Sequence, residues 1–214
     1  MADPRLFRLR VTFRETGRLA LLSHLEVARA LERAVRRADL PYAVSQGFSP
    51  HMRIAFGAAL PVGVGGTAEF FDLFLTDYVA APKALAALQA ASPADLYPLE
   101  ARYIEARDPA ASVACPVSTY EVVLSEAPSA LAVPEAITVV RKKKEKTLAV
   151  ADFLVGEVAQ AGPVVRFTLE AKPTGSLRAD AFARELMAAT VAAGHAAEGL
   201  HPVSFMRVEQ REAR

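Results

Sequence analysis

Residues 6–13, Leu-Phe-Arg-Leu-Arg-Val-Thr-Phe, alternate apolar and polar side chains, with Phe7, Leu9, Val11 and Phe13 on one face and Arg8, Arg10 and Thr12 on the other. A period of two predicts a half-buried strand. The period changes beyond Gly17. Ser23-His24-Leu25-Glu26 has the spacing of a capping box, in which a hydroxyl and a carboxylate satisfy free amides at a helix start, and the helix is expected to run to about Asp39, before Pro41. At about 100° per residue, Val27, Leu31, Ala34, Val35 and Ala38 gather on one side of that helix, which makes it the core side. Arg29, Arg33, Arg36 and Arg37 gather roughly opposite.

The remaining pattern sets the fold class. A glycine-bearing loop, Ser45-Gln46-Gly47-Phe48-Ser49-Pro50-His51, precedes two predicted strands, Met52–Leu60 and Glu69–Leu75, joined by a turn rich in Gly63, Gly65 and Gly66. Ala80–Ala91 reads as a helix and Tyr97–Glu105 as a strand. The resulting order, β-α-β-β-α-β, is the ferredoxin-like pattern. Asp108–Pro116 reads as a linker. After it the spacing predicts a strand over Thr119–Ser125, a short helix over Ser129–Ala136, extended segments over Ile137–Val150 and Val164–Ala171, a helix over Arg178–Ala193 and a closing strand over Val203–Glu209. The chain is therefore read as α+β, with two ferredoxin-like halves in tandem over residues 1–107 and 117–214.

Charge is distributed unevenly beneath a net value of +1. Residues 1–60 hold ten Lys/Arg against five Asp/Glu, residues 61–135 three against ten, and residues 136–214 twelve against nine. Basic segments of this kind either attract phosphate or form solvated faces. Cys115 is the only cysteine, which excludes an internal disulfide and fits a reducing compartment. An iron–sulfur cluster needs several thiolates and a structural zinc site usually four Cys/His ligands, so with His24, His51, His195 and His201 scattered neither a metal nor another cofactor is expected. No run approaches the ~18 apolar residues of a membrane span, and a cytoplasmic protein is the expectation.

Candidate chemistry concentrates between Ser23 and Arg53. Arg29, Arg33 and Arg36 on one helical face have the fork geometry that pairs bidentately with phosphate, the alternative being an exposed face paired with acids. Ser23 and His24 stand at a helix start, a natural anion site, over which Gly47, Phe48 and His51 could close. A lone histidine there also fits a packed or capping role. Arg141-Lys142-Lys143-Lys144-Glu145-Lys146 is the densest charge run; it either guards a hairpin edge or faces the same ligand as the arginines. Glu69 and Asp72 fall on opposite faces of a strand, which argues against a carboxylate pair. The glycines at 63–66 lack a following helix start and a Walker lysine, so no nucleotide loop is expected.

The ordered motifs Ser23-His-Leu-Glu26, Ser45-Gln-Gly-Phe-Ser-Pro-His51, Arg53-Ile-Ala-Phe-Gly57, Leu60-Pro-Val-Gly63 and Glu69-Phe-Phe-Asp72 resemble an uncharacterised bacterial family found fused to, or beside, radical SAM proteins. Glu26 stands where Asp is expected, and Met52 where Pro is common. In the second half the resemblance thins to the basic strand at Arg141–Lys144 and the turn Gly175-Ser-Leu-Arg178. It implies an accessory module that binds or presents a substrate for a radical SAM partner, with Ser23, His24, Arg29, Arg33, Arg36, Gly47, Phe48, His51, Arg53, Lys142, Lys143 and Lys144 as candidate residues for binding RNA or another phosphate-bearing substrate. The alternatives are a metal-independent RNA endonuclease of the repeat-RNA-processing type, with His24 as general acid or base, and a pure protein-interaction domain.

Overall fold

The structure is a computed structural model that describes residues 6–141 and 144–212. Among these residues it is a mixed α/β protein with mostly antiparallel sheet and four α-helices. It divides into two compact units, Met1–Cys115 and Pro116–Arg214.

The first unit runs β1 (Phe7–Glu15), α1 (His24–Arg37), β2 (Ile54–Phe56), β3 (Gly65–Leu75), α2 (Ala81–Ala91), β4 (Leu96–Ile104) and a short α3 (Ala111–Ala114). Its strands stand in the order β4-β1-β3-β2, each antiparallel to its neighbour. The alternation of β1 decides what each sheet face buries. Leu9, Val11 and Phe13, with Phe71, Leu73 and Leu75 of β3, form one core with Val27, Leu31 and Val35 of α1 and Ala84 and Leu88 of α2. Each such large side chain contributes about 1.5–3 kcal/mol of burial, so the apolar stripe of α1 is held by packing rather than by helix propensity. Truncating Leu31, which is 1% exposed, would leave a cavity costing about 2–5 kcal/mol.

The opposite face of this sheet departs from a solvated polar face. Arg8, Arg10 and Asp72 are buried there, and Ala111 and Ala114 of α3 pack on Phe70. The segment read as a linker therefore covers part of the sheet. β2 is also shorter than the strand predicted over Met52–Leu60. The Gly57 amide still donates to the Phe70 carbonyl at 3.0 Å, but the chain then leaves the ladder toward Pro61, which has no N–H to offer, and turns at Gly63 with φ +88°.

The second unit contains β5 (Val117–Leu124), β6 (Ala136–Arg141), β7 (Lys144–Ala149), β8 (Ala159–Ala161), β9 (Val164–Glu170), α4 (Ala179–Ala192) and β10 (Pro202–Arg211). Its sheet has the order β10-β5-β9-β8, while β6 and β7 form a separate two-stranded hairpin. Phe167 meets Phe182 of α4 edge-on at 4.7 Å and stacks on Tyr120 at 5.5 Å, which fixes the helix over the sheet. The helix predicted over Ser129–Ala136 does not form. Pro134 would sit in its interior, and the backbone amides are satisfied elsewhere: Ser129 donates to the His195 carbonyl and Ala132 to the Thr190 hydroxyl.

Candidate functional site

Helix α1 presents its arginines as the sequence pattern implies. With Val27, Leu31, Ala34 and Val35 buried, Arg29, Arg33 and Arg36 are left exposed on the outer face. Arg36 keeps one exposed i,i+4 pair with Glu32 at 3.3 Å, of the kind worth about 0.3–0.5 kcal/mol. Among the described residues, Arg29 and Arg33 make no ion pair within 4 Å. Three guanidinium groups thus face solvent on one helical surface.

The start of α1 is built differently from an open anion site. The Glu26 carboxylate accepts both the Ser23 amide at 2.8 Å and the Ser23 hydroxyl at 2.7 Å. The Ser23 hydroxyl first, and its amide second, hold the Glu26 carboxyl below the usual glutamate range, so the first turn carries a fixed negative charge. A phosphate arriving at Ser23 would meet that charge.

His24 turns instead toward a small cleft at the far end of the sheet. Its ring meets Phe56 edge-on at 5.4 Å and 87°. The cleft has a volume of about 20 Å³ and is walled by Phe13, Val27, Leu60 and Phe70, with Glu15 and Glu69 also in its lining. Both glutamates are only 5% exposed. Several motif segments therefore meet here: His24, Phe56-Gly57, Leu60 and Glu69. The two acids were legible in principle. Glu15 shares the parity of Val11 and Phe13, and Glu69 that of Phe71 and Leu73, so each is a charged residue in an apolar phase.

Gly47, Phe48 and His51 do not line the cleft at His24. Their loop leaves the sheet where Ala43 donates to the Phe74 carbonyl and Val44 bridges Met52, and it is closed by the Ser45 amide on the His51 carbonyl at 2.8 Å. Its attachment at Phe74 and the cleft at Phe70 are separated by four strand residues, roughly 14 Å at 3.4 Å per residue. Gly47 has φ +140°, and Phe48 stands fully in solvent. Arg53 lies under this loop with its guanidinium 5.0 Å from the Phe74 ring, while Arg8 approaches the same ring at 5.9 Å. The residues grouped by sequence therefore divide into a helix face, a cleft and a loop.

A buried ion cluster also emerges. Asp72, with no exposed surface, accepts from Arg8 Nε and Nη2 at 3.1 and 2.7 Å and from Arg10 Nε and Nη2 at 2.7 and 3.0 Å. Arg8 also donates to the carbonyls of Asp108 at 2.8 Å and Pro109 at 2.7 Å, and so ties the segment after β4 to the sheet. The hydrogen bond to Asp72 raises the Arg10 pKa further against the opposing effect of burial, and Arg10 lies 4.8 Å over Phe70. This is a structural device, since Arg8 spends its donors on internal acceptors.

Among the described residues, no group of three or more His, Cys, Asp or Glu side chains is placed to hold a metal ion, and no helix is long and apolar enough to cross a membrane. Lys142 and Lys143 lie outside the described residues, and Lys144 opens β7 opposite Arg141. The family described as "Uncharacterized protein conserved in bacteria (DUF2344)" matches residues 8–178, which is more than half of the chain. No curated protein matches.

Proposed function

Because the chain belongs to this uncharacterised family conserved in bacteria, we propose that it is a substrate-binding module that presents a phosphate-bearing substrate, RNA foremost, to a radical SAM partner in the cytoplasm. The first unit, with its β-α-β-β-α-β order, is read as a ferredoxin-like half, and the second as a related half in which the β6–β7 hairpin replaces the first helix. One observation carries the reading: Arg29, Arg33 and Arg36 stand exposed on one face of α1, with at most a single surface ion pair among them. Exposed guanidinium forks are suited to phosphate. Lys142, Lys143 and Lys144 supply further cations for phosphate. The fully exposed Phe48 beside Gly47 and His51 is suited to stacking on a base. The partner rests on the motif resemblance, since one cysteine leaves the cluster chemistry to another chain.

The test is binding of a structured RNA by anisotropy across a salt series. Replacing Arg33 and Arg36 with Ala is expected to weaken binding and to flatten the log–log salt slope by roughly 0.7–0.9 for each phosphate no longer neutralised. Affinity no greater than that of an inert protein at low salt, with and without the radical SAM protein, would overturn the reading and leave a protein-interaction role.

The His24 cleft favours a second reading, RNA cleavage. His24, Glu15 and Glu69 line one cleft, and these are residue types that can remove a proton from a 2′-hydroxyl and return one to the leaving oxygen. His24→Ala separates the readings: it abolishes cleavage and leaves binding largely intact in a nuclease, and changes affinity only modestly in a binding module.

A further inference from the structure

The end of β3 carries an aromatic cluster that none of the motifs includes. Tyr78 stacks on Tyr103 with ring centroids 5.2 Å apart and planes at 27°, and Phe7 meets the two rings edge-on at 5.7 and 6.2 Å. The cluster is locked from below. The Tyr103 hydroxyl donates to the Val79 carbonyl at 2.6 Å and accepts from the Val79 amide at 3.3 Å, while its ring packs against the core of the first unit. Burial pushes the Tyr103 hydroxyl above the usual tyrosine range, so it stays a neutral donor. Tyr78 itself is 64% exposed and Phe7 39% exposed. A flat ring thus rests on a second ring with its outer side in water.

One helix start and one lysine beside it suit an anionic group. Helix α2 begins three residues after Tyr78, with Ala80 as N-cap, no side-chain cap and no acidic residue in its first turn. The backbone amides of Ala81 and Lys83 make no hydrogen bond among the described residues, Pro82 has none to offer, and the Lys83 side chain is exposed in that turn. The helix start and a lysine therefore place positive potential beside the ring. Asp77, the nearest acid along the chain, accepts from the Thr76 hydroxyl at 2.8 Å and places a carboxylate on the other side of Tyr78 from Lys83 in sequence.

We propose that the outer face of Tyr78 is a base-stacking platform for one nucleotide of a single-stranded RNA segment, with Lys83 and the start of α2 beside its phosphate. This rests on the nucleic-acid reading above and deepens it, naming a single-stranded element and a binding point other than the arginines of α1. Aromatic–base stacking supplies affinity without demanding a particular base, and a neighbouring cation supplies salt dependence, so the two contributions are separable by experiment.

The probe is a single-stranded oligouridylate carrying one 2-aminopurine, whose fluorescence reports stacking; the chain has no tryptophan, so tyrosine emission reports from the protein side. Tyr78→Ala is expected to weaken binding about 5- to 150-fold, the loss of one stacked base, with the salt slope unchanged. Tyr78→Phe should keep the affinity within about twofold because the ring is retained. Lys83→Ala should flatten the slope by about 0.7. Tyr78→Ala also removes the ring contacts to Tyr103 and Phe7, so its melting temperature should fall by several degrees while its circular dichroism spectrum matches the parent and certifies that it folds. If the parent binds the oligonucleotide and Tyr78→Ala binds equally well, the platform is overturned while the binding-module reading stands. If the parent binds no RNA at low salt, the platform and the reading beneath it fall together.

Discussion

Asp72→Asn removes the carboxylate that accepts from both Arg8 and Arg10, and its cost follows from the geometry. Four charge-assisted hydrogen bonds of 2.7–3.1 Å converge on the Asp72 side chain, all three residues being at most 9% exposed. Breaking a buried pair from one side costs about 3–5 kcal/mol, because the remaining charge stays buried without compensation. Asparagine keeps one acceptor oxygen, which places the expected loss near the low end of that range, about 3 kcal/mol. For a unit of this size, at about 4 °C per kcal/mol, the melting temperature should fall by ~12 °C. Far-UV circular dichroism during heating and in urea measures it. A second substitution tests the cause rather than the site. Arg10→Met in the Asp72→Asn background withdraws a stranded cation, so the double variant should be more stable than additivity predicts by at least ~1 kcal/mol. A loss below about 0.5 kcal/mol for Asp72→Asn, or strict additivity in the cycle, would refute the view that this cluster holds the segment after β4 to the sheet.

Two further outcomes test the neighbourhood of His24. Glu26 has its pKa lowered by Ser23, so its contribution to the helix start is present above the ordinary glutamate value of about 4.3 and is lost as pH falls through the depressed value; in an NMR titration Ser23→Ala should raise the Glu26 midpoint, and an unmoved midpoint would deny the cap. Gly66→Ala should displace Glu69 from the cleft, since a Cβ at Gly66 would run into the Glu69 carboxylate, with a stability loss of about 1–3 kcal/mol; a crystal structure of a fully stable variant with Glu69 in place would contradict the crowding argument.

The periods along the chain determined much of the first unit. Two-residue alternation put Leu9, Val11 and Phe13 inside, and the 3.6-residue period put Val27, Leu31 and Val35 beneath α1 and left its arginines outside, because a side chain's face follows directly from backbone geometry. Capping at Ser23 and Glu26 was legible for the same reason: its partners are three residues apart. Pairing between distant segments left no comparable signature. Arg8 and Asp72 are separated by 64 positions, and the polar face of β1 reads as solvated until β3 and α3 are laid against it. Proximity in sequence also grouped residues that folding separates. Ser23, His24, Gly47 and His51 read as one anion site, but β3 holds the loop near Phe74 and the cleft near Phe70, with Glu26 already at the helix start. Conversely, Glu15 and Glu69 are far apart in sequence and share a cleft because β1 and β3 are paired antiparallel, Phe13 opposite Glu69. Local periodicity thus chose the face on which each side chain lies, and only the register of strands distant in sequence chose its neighbours.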